Sequence, residues 1–179
     1  MKIRTMKKTL LALWAVCLIG PASWAAEADS PIIGMPNPIV TCDTYADAAH
    51  TTGFAPLYLT RGSGFELNYI SVISKHLADL GFRSYTTDAS VRVRTALAAD
   101  EKGTEDISGI YSVRWNTHYL SGVTVYTATI AHNEYAAHWQ VGKYLFSAHA
   151  KQMTRSEFYS LLKYQLVDAS AHYYLTLSE

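Results

Sequence analysis

The chain has 179 residues, 49% of them hydrophobic, with 15 Lys plus Arg against 15 Asp plus Glu and only two cysteines. That length suits one ordinary domain and a leader, and the even charge offers no basic face of the kind a nucleic-acid partner needs. The balance is also uneven along the chain: all 15 acids but only 11 of the basic residues follow Ala25, so the later part carries 11 − 15 = −4.

Met1–Ala25 reads as a secretory signal peptide. Lys2, Arg4, Lys7 and Lys8 make the charged region, Leu10–Ile19 is apolar, and Ser23-Trp24-Ala25 puts small residues where a signal peptidase cuts. The apolar run is too short to span a bilayer comfortably. Trp14-Ala15-Val16 before Cys17 is not a lipoprotein pattern, so the reading is a soluble, periplasmic or secreted protein with no transmembrane anchor after cleavage. Cys42 then remains alone, which excludes an internal disulfide and leaves a buried thiol, a free one or a link between chains. Residues 26–38, with Pro31, Gly34, Pro36 and Pro38, read as an extended lead-in. Residues 39–170 read as a single domain and 171–179 as a tail.

Asp43–Thr52 is expected to be a short helix, capped by Thr44 with Asp47 and ended by Gly53. Phe65, Leu67 and Tyr69 begin a strand. A turn at Ser74–Lys75 would pair Tyr69 with Leu80 and Leu67 with Phe82, and one at Thr87–Asp88 would pair Phe82 with Val93 and Ser84 with Val91. Arg92 and Arg94 then point away from the apolar face. Ala98–Ser108 is the longest polar loop, its acids placed to balance those arginines.

From Gly109 to Ala150 the alternation has a period of two. Turns at Ser121–Gly122, His132–Asn133 and Val141–Gly142 would set Trp115, Tyr126, Trp139 and Tyr144 on one apolar face, with Trp139 opposite Tyr144 and Tyr126 opposite Trp139. These four aromatics are the candidate ligand-binding residues, with an ordinary core as the competing reading. Thr154-Arg155-Ser156-Glu157 is a capping box, and Phe158, Leu161, Leu162, Gln165 and Leu166 give a helical stripe. The expected architecture is α+β: a curved antiparallel β-meander of about seven strands, with the short N-terminal helix and a longer C-terminal helix packed on one face. The C-terminal helix would cover only part of that face.

Gly34-Met35-Pro36-Asn37-Pro38, the Thr44–Gly53-Phe54 stretch, the Gly103–Gly109 loop, and Trp139 with Gly142 and Tyr144 together resemble small exported bacterial proteins of the DUF4367 type. Val141 departs from the Asn or Asp more usual at that turn. The resemblance covers most of residues 34–168 and implies an α+β envelope domain without catalytic residues.

No residue pattern compels chemistry. In the expected register His138 and His149 lie ~13 Å apart, too far for one metal ion, while Glu134 and His149 form a surface pair. Cys42 precedes a helix N-terminus, but His50 lies ~12 Å along it and cannot serve as its base. Ser63 in Gly62-Ser63-Gly64 lacks the context of a nucleophile elbow, and the Asp100–Asp106 acids lack the spacing of an EF-hand. The expectation is a non-enzymatic cell-envelope protein with no cofactor and no metal. It would bind a partner protein, an envelope component or a small apolar ligand through its sheet, with a homo-oligomer allowed. A haem or metal carrier using surface His and Tyr is the alternative, and a hydrolase the weaker one.

Overall fold

Eight antiparallel strands form one open sheet in a computed structural model that describes residues 38–101 and 103–175. The expected signal peptide, nearly all of the expected lead-in and the last four residues of the expected tail lie outside the described residues. The strands are β1 (Ile39–Thr41), β2 (Phe65–Ile73), β3 (Leu77–Ser84), β4 (Ser90–Leu97), β5 (Asn116–Leu120), β6 (Val123–Ala131), β7 (Glu134–Val141) and β8 (Tyr144–Lys151). Their order is β1-β2-β3-β4-β8-β7-β6-β5. The expected single meander of seven strands is thus two four-strand meanders, joined where β4 pairs with β8. That joint was not legible because both strands satisfy their alternation equally well beside any apolar neighbour. It forces residues 98–115 to cross the sheet from its centre to the far edge.

The hairpins decide which side chain faces where. At β7–β8 the turn is Gly142–Lys143, with Val141 opposite Tyr144 and Trp139 opposite Phe146. Gly142, at φ 55, takes the first central position, where a two-residue hairpin of this kind requires positive φ. Val141 could not take that position without strain, which corrects the expected Val141–Gly142 turn. At β3–β4, Phe82 pairs with Val91 and Leu80 with Val93, again two residues from expectation. A shift of two preserves the faces, and Arg92 and Arg94 do point away from the apolar side.

Two bulges shift the pairing by one residue instead. Thr117 pairs with Tyr126, and Ala131 with Glu134, as expected, but an irregularity between Thr129 and Ala131 puts Tyr126 opposite His138 and Val125 opposite Trp139. At β2–β3 a three-residue loop, Ser74–His76, replaces the expected Ser74–Lys75 turn and puts Tyr69 opposite Gly81, and a second irregularity, between Leu67 and Tyr69, brings Leu67 back opposite Phe82. Each extra residue turns the strand beyond it over. Tyr126 and Tyr69 therefore leave the apolar face.

That face, the front, is covered. Helix α1 (Tyr45–Thr52) has the Thr44–Asp47 capping box and a left-handed Gly53 at its end. Ala48 on α1, then Phe54, Leu57 and Leu59 on the segment after it, join the same buried cluster as Leu80, Phe82, Val93, Trp139 and Phe146. The segment covers part of what the C-terminal helix leaves, and a pocket of about 730 Å³ lined in part by Phe65, Met153 and Leu161 stays open beside the helix. Leu57 N–H donates to Thr95 Oγ1 at 3.0 Å, which ties the segment to β4.

The C-terminal helix consists of α2 (Arg155–Leu161), a π-helical turn (Leu162–Val167) and α3 (Asp168–Leu175). The Thr154–Glu157 capping box opens it. The π turn inserts one residue per turn, so the buried stripe keeps the expected Leu166, omits the expected Gln165 and continues through Ser170 and Tyr174. Residues 171–175 belong to this helix, and Tyr174 donates to the Ala55 carbonyl at 2.6 Å.

Candidate functional site

The four aromatics singled out from the sequence divide between the two sides of the sheet. Trp139 and Tyr144 lie on the front, 1% and 6% exposed. Trp139 stacks on Phe146 at 5.5 Å and donates from Nε1 to Ser170 Oγ at 2.9 Å, while Tyr144 meets Tyr174 edge-on at 4.8 Å. They are core side chains. Trp115 and Tyr126 lie on the back, brought together by His138: Tyr126 stacks on its ring at 4.8 Å and Trp115 packs edge-on at 4.6 Å. Trp115 precedes β5 instead of belonging to a strand.

The back face is built in rows that run across the strands. One row sets Tyr69, Gly81, Arg92, His149 and Ala136 side by side. The next sets Ser71, Asp79, Arg94, Ser147, His138 and Tyr126. Beyond these, Leu77, Ala96 and Leu145 form a small apolar patch that Ile107 covers from the crossing loop. Arginines on this face pin the loop down. Arg94 donates from Nη1 to the carbonyls of Ile107 and Ser108, each at 3.1 Å, and Arg92 from Nη2 to Ser108 at 3.0 Å. Gly109 sits at φ +68, and a Cβ there would come within 2.8 Å of Arg94 Nη1, so the loop needs glycine at that point.

Asp79, 6% exposed, is the carboxylate of this network. Its Oδ2 accepts from Arg94 Nε at 3.2 Å and Nη2 at 3.1 Å, and its Oδ1 accepts from the Tyr69 hydroxyl at 3.4 Å. The loop acids do not pair with the arginines as expected; the loop supplies backbone carbonyls, and the carboxylate comes from β3. Burial, then Asp79, push the Tyr69 phenol above its ordinary range, so it stays a donor. Arg92 is half-buried, and burial and then Arg94 weigh against its charge. Among the described residues no carboxylate forms an ion pair with it.

The expected Glu134–His149 pair is present: His149 Nε2 and Glu134 Oε1 are 2.7 Å apart, although their strands place them on a diagonal. Burial is the largest influence on His149 and lowers it despite Glu134, so the imidazole is neutral near pH 7 and donates to the carboxylate. Burial alone would raise Glu134, but hydrogen bonds from His149 and then the charge of Lys151 hold it below the usual carboxylate range. His138, 8% exposed, is lowered by burial against the opposing pull of Asp106 and Glu105. It lies opposite Ser147, not Leu145, and is no surface residue.

Other sequence candidates do not converge. Burial, then Asp47 and Asp43, push the Cys42 thiol up, which opposes thiolate chemistry at that helix end. Ser63 sits in a 3₁₀ turn, where its Oγ accepts from Phe65 N–H at 3.3 Å. Among the described residues no three or more His, Cys, Asp and Glu side chains gather as metal ligands, and no helix is long and apolar enough to cross a membrane.

A cleft of about 620 Å³ on the back face opens beside Arg92. Tyr69 and Gly81 line it together with Arg83, Asp88, His149 and Lys151. Gly81 permits it: a methyl group at that position would run into the Tyr69 ring, which lies over the bare backbone. Sequence reasoning named Tyr69, Arg92 and His149 separately but not as neighbours; Gly81 inside a strand was the available signal. No family model, no curated protein and no solved structure matches this chain.

Proposed function

We propose that the protein is a non-catalytic, exported cell-envelope protein that binds its partner or ligand through the back face of the sheet. One observation carries this reading: half-buried Arg92 lines an open cleft and meets no carboxylate among the described residues. A charge kept partly out of water without an ion-pair partner is costly, and sites that tolerate such a cost tend to be functional ones. The front face argues for the same side by default, since its aromatics are sealed beneath α1, the following segment and the C-terminal helix. Export rests on Lys2–Lys8, Leu10–Ile19 and Ser23-Trp24-Ala25. Kinship with DUF4367-type proteins is also proposed; the Gly103–Gly109 motif that supports it contributes the loop end held by Arg92 and Arg94.

The test is site-specific photocrosslinking in the envelope of cells exporting the full chain. A crosslinker replacing Arg83, at the cleft rim, should give a discrete adduct that Arg92→Gln weakens. One replacing Thr51, on the outer side of α1, should give none. Equal adducts from both positions would reject the assignment to the back face.

A further inference from the structure

The cleft beside Arg92 has a chemistry that narrows its ligand. Its charged lining consists of Arg83, Arg92 and Lys151 against Asp88, with His149 neutral near pH 7. Of the other carboxylates nearby, Asp79 is engaged by Arg94 and Tyr69 and Glu134 by His149 and Lys151, while Glu66 stands opposite Arg83 on β2. With Lys151 shared with Glu134 and Arg83 opposite Glu66, the cation that meets no carboxylate among the described residues is Arg92. Arg92 holds the loop through Nη2, and its planar fork carries further donors suited to a two-oxygen acceptor. The Tyr69 ring beside it, 39% exposed, offers a flat apolar surface.

We propose that this cleft binds a small organic anion, its carboxylate or phosphate oxygens on the Arg92 guanidinium with Lys151 and Arg83 at the rim, and its apolar body against Tyr69. The inference rests on the back-face reading above and adds the ligand class. An oxyanion is favoured because it supplies the charge that Arg92 lacks, and a half-desolvated guanidinium gains more from an ion pair than an exposed one. The ring gives an aromatic carboxylate an advantage over a bare one. The volume, about 620 Å³, falls in the range of small-molecule sites.

Three probes test it on the purified full-length exported protein: inorganic phosphate, acetate and benzoate. Each is titrated while the arginine Nε–H resonances are followed by ¹H–¹⁵N NMR. The expected result is saturable movement of the Arg92 resonance with at least one probe, with benzoate binding several-fold more tightly than acetate. Arg92→Gln should weaken binding at least tenfold, and Lys143→Gln, in the β7–β8 turn, should not change it. Because Arg92 also anchors the loop, Lys151→Gln and Tyr69→Leu serve as second variants: the first should weaken every probe, the second benzoate only. Absence of saturation with all three probes, or saturation unchanged in both Arg92→Gln and Lys151→Gln, overturns the anion site. If Arg83 crosslinks persist alongside that negative result, the ligand class alone fails. If the crosslinks are also lost, the back-face reading fails with it.

Discussion

The two faces of one sheet are covered in opposite ways. The front is sealed by side chains: α1, the Phe54–Leu59 segment and the C-terminal helix bury Leu80, Phe82, Val93, Trp139 and Phe146 among apolar neighbours. The back is covered by a loop whose backbone is held by Arg92 and Arg94, and part of it stays open as a cleft. Burial on the front needs only matched shapes, because apolar contacts are non-directional. On the back, every buried group needs a specific partner, and Arg92 has the Ser108 carbonyl but no carboxylate among the described residues. Coverage by packing builds stability, whereas coverage by hydrogen bonds leaves room for recognition.

The sharpest way to break this comparison is at Trp139. Trp139→Ala should cost about 3–5 kcal/mol, since it leaves a large cavity among Phe146 and its neighbours and removes the donor to Ser170 Oγ. Urea midpoints read the effect. Next comes Asp79→Asn, which unpairs Arg94 on the back. Because Arg94 keeps two carbonyl acceptors, the expected loss is about 2–3 kcal/mol, below the cost of breaking a fully buried pair. It should also speed backbone amide exchange in residues 103–110 more than in the C-terminal helix.

His138→Ala should cost about 1–2 kcal/mol, because it removes the ring between Tyr126 and Trp115. A surface histidine would cost almost nothing. The same residue carries a pH dependence. His138 and His149 are both lowered by burial, so below about pH 6.5 the unfolded chain binds protons that the folded chain resists. Stability should be complete above that pH and fall as the pH drops towards the folded-state values. Glu134, held low, keeps its contribution until more acid conditions, so it does not mask the effect between pH 7.5 and 5.5. Denaturation at those two pH values should show the decline, reduced in His138→Phe; a flat profile would contradict neutral, buried imidazoles.

The smallest expected effect is at Gly81. Gly81→Ala pushes on the far end of the Tyr69 side chain, which can swing aside, so stability should change by about 1 kcal/mol or less. The gap over the strand should close in part and weaken benzoate more than phosphate.

What the sequence made legible follows from parity. Misplacing the β7–β8 or the β3–β4 pairing by two residues left each side chain on its correct face, so the core, the outward Arg92 and Arg94, and both capping boxes were readable from alternation and residue type. Single-residue insertions were not. The bulges before Tyr69 and after Thr129 involve Asn68 and Ile130, neither of them the glycine that often marks such a site, and they moved Tyr69 and Tyr126 to the back. The π turn in the C-terminal helix is the same event in another geometry, keeping Leu166 in the buried stripe and leaving the expected Gln165 out of it. The cleft depends on one of these bulges and on the β4–β8 joint, both set by long-range pairing that no local pattern encodes.

The contrast between a sealed front and an accessible back is tested most directly by tryptophan quenching. After removal of residues 1–25, Trp115 and Trp139 are the only tryptophans, so Trp139→Phe and Trp115→Phe each leave one reporter, on opposite sides of the sheet. Acrylamide should quench Trp115 readily in the folded protein and leave Trp139, 1% exposed, almost untouched. Equal quenching of the two, or stronger quenching of Trp139, would contradict the assignment of the faces and the binding surface built on it.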